Sequence, residues 1–266
     1  MWAELGGRDP TLHCIVLFRR IMEKNCVLIT SEERGNYGIL SKNTGAFSTQ
    51  KYMINIWNGF KMTLVISIFA ALFGLLLGTL VAMVGIAKDS KVMKLPKLIC
   101  KIYVTVIRGT PMALQLFIMA YVIFAIRNFP LEITAIIAFG INSGAYVAEN
   151  IRAGILSVDI GQTEAGRALG LNSRITMMKI VISQAIKNVI PAIGNELIAL
   201  IKETSIVSMI GMFDLTMAAK VIGGGNNMAS YVVPMTVVAL FYLAIVYALT
   251  FGIKKIEKRL RASDKR

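Results

Sequence analysis

From Met62 to Ala87 the chain runs for 26 residues without an Asp, Glu, Lys or Arg. An α-helix rises about 1.5 Å per residue, so about 20 such residues cross the hydrocarbon core of a bilayer. Four further windows follow. Ile102–Ile126 is broken only by Arg108, and Ile133–Ala148 stops just before Glu149 and Arg152. Asn188–Met212 carries Glu196, Lys202 and Glu203, and Val221–Ile253 is uncharged. The GGGNN at 223–227 reads as a turn, which leaves about 23 residues of the last window for a span. This pattern predicts an all-α polytopic membrane protein with five spans. Four is the alternative, because the third and fourth windows also suit buried soluble helices. Composition agrees: 56% of the residues are apolar, 17% are charged and the mean hydropathy is +0.65. Soluble domains hold about 25% charged residues.

Orientation follows from Lys and Arg in short connectors. Residues 88–101 hold five lysines against Asp89, residues 152–187 five basic and two acidic residues, and the segment from 254 seven basic residues against Glu257 and Asp264. Three such segments alternate correctly for five spans, so all three are expected inside. The connectors 127–132 and 213–230 balance to zero and are expected outside. Basic residues around Pro96 and in the tail suit anionic lipid headgroups. The +14 formal charge is thereby explained by membrane topology, and no aromatic-interleaved basic groove points to nucleic acid.

Residues 1–51 read as an atypical amino-terminal extension, expected to be extracytoplasmic. LHCIVLF (12–18) is too short to span and lacks a signal-peptide layout. An amphipathic surface helix around 13–29 and a poorly ordered extension are both open readings. SEERGNYGILSKNTG (31–45) reads as polar loop. Cys14, Cys26 and Cys100 have no ligand spacing, and His13 is the single histidine, so no metal site is expected. A Cys14–Cys26 bridge is conceivable.

Between the third and fourth windows, DIGQTEAGRALGLNSRITMMKIVISQAIKNVIP is regular yet not transmembrane. A short helix at 162–170 is closed by Gly170, and Asn172 or Ser173 caps a second helix from about Arg174. The small residues Ala165, Gly166 and Ala168 give it a shallow surface suited to a groove on another protein. An ordinary loop helix lying on the membrane surface is the plainer reading.

These residues resemble the EAA loop of ABC importer permeases: Glu164-Ala165-Gly166-Arg167-Ala168-Leu169-Gly170, with glycine at the second alanine position. Later, Val181-Ile182-Ser183-Gln184-Ala185 has serine where many relatives have proline. WNGFKMTLVIS (57–67), IYVTVIRGTPMALQLF (102–117), NSGAYVAENIRAGILSVDIGQTEAGRALGL (142–171) and PAIGNELIALIKETSIVSMIG (191–211) resemble the polar amino acid subgroup, in order, over residues 52–255. The resemblance implies a five-transmembrane-helix type I ABC importer permease core at 52–255 with a cytoplasmic coupling helix, and a basic cytoplasmic tail at 256–266. It implies a cell-membrane location, an outside amino terminus and an inside carboxyl terminus. It also implies partners: a second permease subunit, identical or homologous, two cytoplasmic ATPase subunits, and an extracytoplasmic amino acid-binding protein. No cofactor is expected on this chain, ATP-Mg belonging to the partner. The chain has no G-x-x-x-x-G-K-[ST] loop, so it is expected to be non-catalytic.

Under the resemblance, Glu164 is the leading coupling residue; near a helix start its charge would favour the exposed amide end. Ala165, Gly166 and Ala168 would supply the close surface, Arg167 a rim ion pair, and Gly170 the turn. A local cap or solvated glutamate is the plainer reading of Glu164. Charges within a span are functional candidates by default. Glu196, beside Asn195, is expected to pair with a cation, with Arg108 as a candidate, either holding helices together or lining a path. Lys202 lines the path or snorkels. Thr204, Ser205 and Ser208 offer hydroxyls. Arg108-Gly109-Thr110-Pro111 predicts a break in the second span. Asn142, Ser143 and Tyr146 line a polar pocket or bond between helices, and GLLLG (74–78) reads as helix packing. The rival functions are an ion-coupled or facilitative transporter without an ATPase, and a membrane scaffold.

Overall fold

The computed structural model describes residues 41–87, 89–224 and 232–262, with side chains described from Tyr52 onward. The expected surface helix at 13–29, the Cys14–Cys26 bridge, His13 and most of the 223–227 turn lie outside these residues. In chain order the helices are α1 (Ser41–Ile86), α2 (Lys94–Arg108), α3 (Met112–Ile118), α4 (Leu131–Leu156), α5 (Ile160–Ala168), α6 (Ser173–Ile175), α7 (Ile182–Glu203), α8 (Leu215–Gly223) and α9 (Val232–Arg261). π turns at Met119–Ile123 and Thr176–Val181 extend α3 and lead into α7, and a 3₁₀ turn at Thr204–Ile210 closes α7. The described residues contain no strand.

Three helices are long and apolar enough to cross a membrane alone: Tyr52–Ile86, Leu131–Leu156 and Val232–Arg261. Two broken pairs raise the number to five: Lys94–Arg108 with Met112–Ile123, and Ser173–Ile210 with Leu215–Gly223. The break expected at Arg108–Pro111 is present, and the first pair bends there by 108°. Residues 41–45, expected in a polar loop, are the first residues of α1. The boundary placed between 51 and 52 therefore falls within a helix. The boundary between 255 and 256 likewise falls within α9.

The chain forms two compact units, one of residues up to 62 together with 213–248, the other of 63–212 together with 249 onward. In the first, Ile56, Leu215, Ala219, Val237 and Val238 make a buried cluster, with Phe60, Met235, Phe241 and Tyr242 packed against it. Asp214 opens α8 as its cap, accepting from the amides of Thr216 (2.9 Å) and Met217 (2.8 Å).

The second unit is organised on α4, and 61% of its span is buried. Its part of α1 buries Thr63, Ile66, Ser67, Ala70, Gly74, Gly78 and Ala82, a stripe of mostly small residues three and four apart. Small side chains let two helix backbones approach closely. A methyl on Gly78 would lie 2.6 Å from the Gly144 carbonyl oxygen, and one on Gly74 2.9 Å from Ser143 Cβ. The GLLLG pair therefore packs helices, as expected. The outward face of α1 shows Ile68, Phe69, Leu72, Leu76 and Leu80. Hydroxyls on α1 bond back into the helix: Ser67 Oγ donates to the Thr63 carbonyl and Thr79 Oγ1 to that of Leu75, both at 2.7 Å. These two hydroxyls are thereby satisfied within their own helix. Tyr103 on α2 donates to the Ile141 carbonyl at 2.6 Å and ties α2 to α4.

Candidate functional site

The connector helix α5 spans 160–168 rather than 162–170, because Asp159 starts it early. The Asp159 carboxylate accepts from the Gly161 amide at 2.6 Å, a capping bond. Glu164 is consequently the fifth residue of the helix, beyond the first turn, and the expected contact with exposed amides belongs to Asp159 instead. At the other end the Gly170 amide bonds the Arg167 carbonyl (3.0 Å) and the Leu171 amide that of Gly166 (3.1 Å), a Schellman closure. Gly170 has φ +77°, the left-handed region that favours glycine. Asn172, not Ser173, caps the next helix by accepting from the Ile175 amide at 2.8 Å.

Glu164, Ala165, Arg167 and Ala168 are exposed along α5, whereas Gly166 is buried. A methyl at 166 would come within 2.8 Å of Thr176 Cγ2 and 3.1 Å of Ile180 Cδ1. Glycine at this position is thus explained by a close contact inside the chain. α5 is further fastened by the Gln184–Gln162 amide pair (2.9 Å), and Asn188 Nδ2 donates to Ser157 Oγ at 2.8 Å beside it. A polar cleft of about 280 Å³ opens here, lined by Asp159, Lys187 and Arg261 among others. Arg261 also pairs with Glu257 at 3.1 Å.

The candidates within the spans fall into three groups. Around the α2–α3 break, Thr110 Oγ1 donates to the Val106 carbonyl at 2.9 Å. Gln115 Nε2 donates to the Ile107 carbonyl (2.8 Å), with Thr110 Oγ1 (2.7 Å) and the Thr110 carbonyl (3.1 Å) also within reach. Asn142 Nδ2 donates to Gln115 Oε1 at 3.0 Å. Thr110 and Asn142 are therefore brought together by a residue the sequence reading passed over. Its signal was present: an amide four residues after a proline stands one turn above the donor the proline lacks.

Arg108 forms the second group. Its guanidinium lies over the Tyr146 ring, 5.3 Å from the centroid, and 3.9 Å from Glu149. Glu149 is held more tightly by Arg152, at 2.5 and 2.9 Å. Arg108 is 39% exposed; its ion-pair contact is with Glu149, and its charge also acts on Glu196, the candidate partner named from the sequence. Glu196, half-buried, lies beside buried Ser143. Asn195 and Lys202 are exposed. The hydroxyls of Thr204, Ser205 and Ser208 bond to the carbonyls three residues earlier, at 2.7, 2.9 and 2.9 Å. Those three are occupied within their own turns. Among the described residues no group of three His, Cys, Asp or Glu side chains is placed to hold a metal ion.

Outside the spans, Lys97 Nζ lies 2.6 Å from Asp89 Oδ1. This bond and the Lys97 charge hold the Asp89 carboxyl below its ordinary value.

Residues 74–262 match the family described as binding-protein-dependent transport system inner membrane component. That description names one component of a system that also depends on a binding protein. A putative glutamine transport system permease protein of Rickettsia bellii is 39% identical over 78% of this chain and 94% of its own length. The arginine transport system permease protein of Bacillus subtilis is 37% identical over 79% of this chain and 94% of its own. The L-cystine transport system permease protein of the same organism is 38% identical, covering 76% and 85%. Among solved structures, an amino acid ABC transporter crystallised with histidines matches with TM-score 0.73 and 38% identity, over 80% of this chain and 97% of that one. An inward-facing methionine ABC transporter shares the fold at TM-score 0.64 and 21% identity, covering 78% and 97%.

Proposed function

Since the chain belongs to the family of binding-protein-dependent transport system inner membrane components, we propose that it is the pore-forming subunit of an ATP-driven importer of polar amino acids. The observation that carries this reading is the likeness to the solved amino acid ABC transporter along 97% of that protein. The relatives named for glutamine, arginine and L-cystine agree on the class and differ in the side chain.

In this reading residues 52–255 are the transmembrane domain, residues 1–51 an extension outside, and residues 256–266 a cytoplasmic tail. A second permease subunit completes the pore, two ATPase subunits bind from the cytoplasm, and a binding protein delivers the amino acid. The Lys and Arg distribution supports a cytoplasmic α5 and tail and an outside amino terminus. The exposed row Glu164, Ala165, Arg167 and Ala168 suits the docking face, with Glu164 supplying the charge, Gly166 packing the helix from within and Gly170 making the turn that ends it. Arg108, Tyr146, Ser143 and Glu196 present a cation, a ring and a carboxylate on neighbouring helices, chemistry suited to a zwitterion. Thr110 and Asn142 support the break beside them. Asn195 and Lys202 stand at the exposed edge of the path, and Thr204, Ser205 and Ser208 build the turn that ends α7.

The test is ATP-dependent uptake of radiolabelled L-glutamine, L-arginine and L-cystine, each alone, by the complete complex in vesicles. Accumulation of at least one is expected; accumulation of none with all subunits present would sink the reading. Glu164→Lys should lower uptake by more than about tenfold and reduce ATPase co-purification, because a reversed charge at a docking face repels its partner. For topology, cysteines at Val92 and Ile126, both exposed, should react with an impermeant maleimide from opposite sides.

A further inference from the structure

A proline at 111 removes the donor that the carbonyl of Ile107, four residues earlier, would receive in an unbroken helix. In an apolar surrounding such a carbonyl must find another donor. Gln115 Nε2 supplies it at 2.8 Å and also reaches Thr110, so one amide brackets both lips of the break. Its oxygen is in turn held by Asn142 of α4 at 3.0 Å. One side chain thus joins α2, α3 and α4 where the chain turns through 108°. The arm before the turn packs along α4 without fully burying any residue of α2. Its other polar ties to α4 are the Tyr103 bond to Ile141, the Arg108 guanidinium over Tyr146 and the loose Arg108–Glu149 pair. Arg108 is the residue next to the bracketed Ile107 carbonyl, so the angle of the break decides where its guanidinium sits over Tyr146.

We propose that Gln115 is a positioning residue of the transport cycle: by bracketing the Gly109–Pro111 break against Asn142 it sets the angle of α2 and thereby aims Arg108 into the amino acid path. The proposal rests on the reading above that Arg108 faces such a path.

The experiment compares the wild-type complex with Gln115→Met, which keeps length and volume but removes every bond. A second variant combines Gln115→Met with Pro111→Ala, which returns a backbone donor to the Ile107 carbonyl. Uptake kinetics use whichever labelled amino acid of the three the wild-type complex accumulates. Spin labels on Val92→Cys and Ile118→Cys, in a chain otherwise free of cysteine, report the bend. Gln115→Met should raise KM by about tenfold, the size expected when a binding group is misplaced rather than lost. The double variant should recover the amount of folded protein, lengthen the label separation as the break straightens, and keep the raised KM. A wild-type KM in Gln115→Met overturns the proposal and leaves the transport reading standing. A wild-type KM in the double variant also overturns it, because Gln115 would then only satisfy a carbonyl. No uptake by the wild-type complex overturns both.

Discussion

Helices α1 and α4 pack against one another, yet they distribute their residues in opposite ways. Over its charge-free run α1 turns Ile68, Phe69, Leu72 and Leu76 outward and buries Thr63, Ser67, Gly74 and Gly78. Helix α4 buries Asn142 and Ser143 and brings Tyr146 and Glu149 to Arg108. Of the span in α1 28% is buried, against 61% in α4. In water the apolar face of a helix turns inward. Here lipid already satisfies large apolar side chains, so the interior goes to small residues that admit close approach and to polar groups that must bond each other. An exposed leucine on α1 and a buried asparagine on α4 are two results of one solvent.

The harshest trial of this contrast is a charge on the outer face of α1. Leu72→Asp, at a position 53% exposed, should cost about 3 kcal/mol of insertion free energy, as acidic groups do near a helix centre in lipid. On a soluble surface the same change would fall within about 0.5 kcal/mol. Glycosylation mapping of the inserted fraction reads the difference, and unchanged insertion would break the comparison. The converse trial is Asn142→Leu, which makes α4 more apolar and strips Gln115 Oε1 of its donor. It should lower stability by about 1–3 kcal/mol, the cost of an unsatisfied buried partner, seen as a fall in Tm in detergent. A rise in Tm would mean that α4 gains nothing from its polar interior.

Smaller effects sharpen the comparison outside the spans, where water returns. Gly166→Ala gains about 1 kcal/mol of helix propensity but sets a methyl 2.8 Å from Thr176 Cγ2. A net loss in Tm is expected, removed when Thr176→Ser deletes that methyl; a gain in the single variant would mean the contact yields freely. The smallest effect concerns Asp89. Its carboxyl is depressed by Lys97, so the pair's contribution is present above the unfolded-state value and fades as pH falls through the folded one. Lys97→Ala should raise the Asp89 midpoint towards its ordinary value in an NMR titration, with no measurable change in Tm, as befits an exposed pair.

The sequence carried the spans because charge-free runs of this length have few other uses. It carried the break as well, since Arg-Gly-Thr-Pro cannot continue a helix undisturbed. The small stripe on α1 was legible at Gly74 and Gly78. The start of α5 was misplaced by two residues because Asp159 competes with later residues as a cap, and capping is settled by backbone geometry. The inward direction of Gly166 depends on Thr176 and Ile180, which reach it only after the chain doubles back. The Arg108–Glu149 pairing joins residues 41 positions apart and follows from how α2 meets α4. π turns such as Thr176–Val181 add to the difficulty, because an inserted residue shifts the helical period on which face assignments rest.

The close contact between Gly166 and Thr176 also bears on the order of events during folding. It spans ten positions, the Asn172 cap spans three, and the Gln162–Gln184 pair spans 22. Loop closure costs more entropy as the loop lengthens, and chains form local contacts fastest. By contrast, Ser143 and Glu196 meet across 53 positions, and Gly194 packs on Ile253 across 59. The segment from Asp159 to Gln184 therefore has the least chain entropy to lose. On chain entropy alone it would complete its shape before α4 and α7 find each other, a ready-made corner for them to close around.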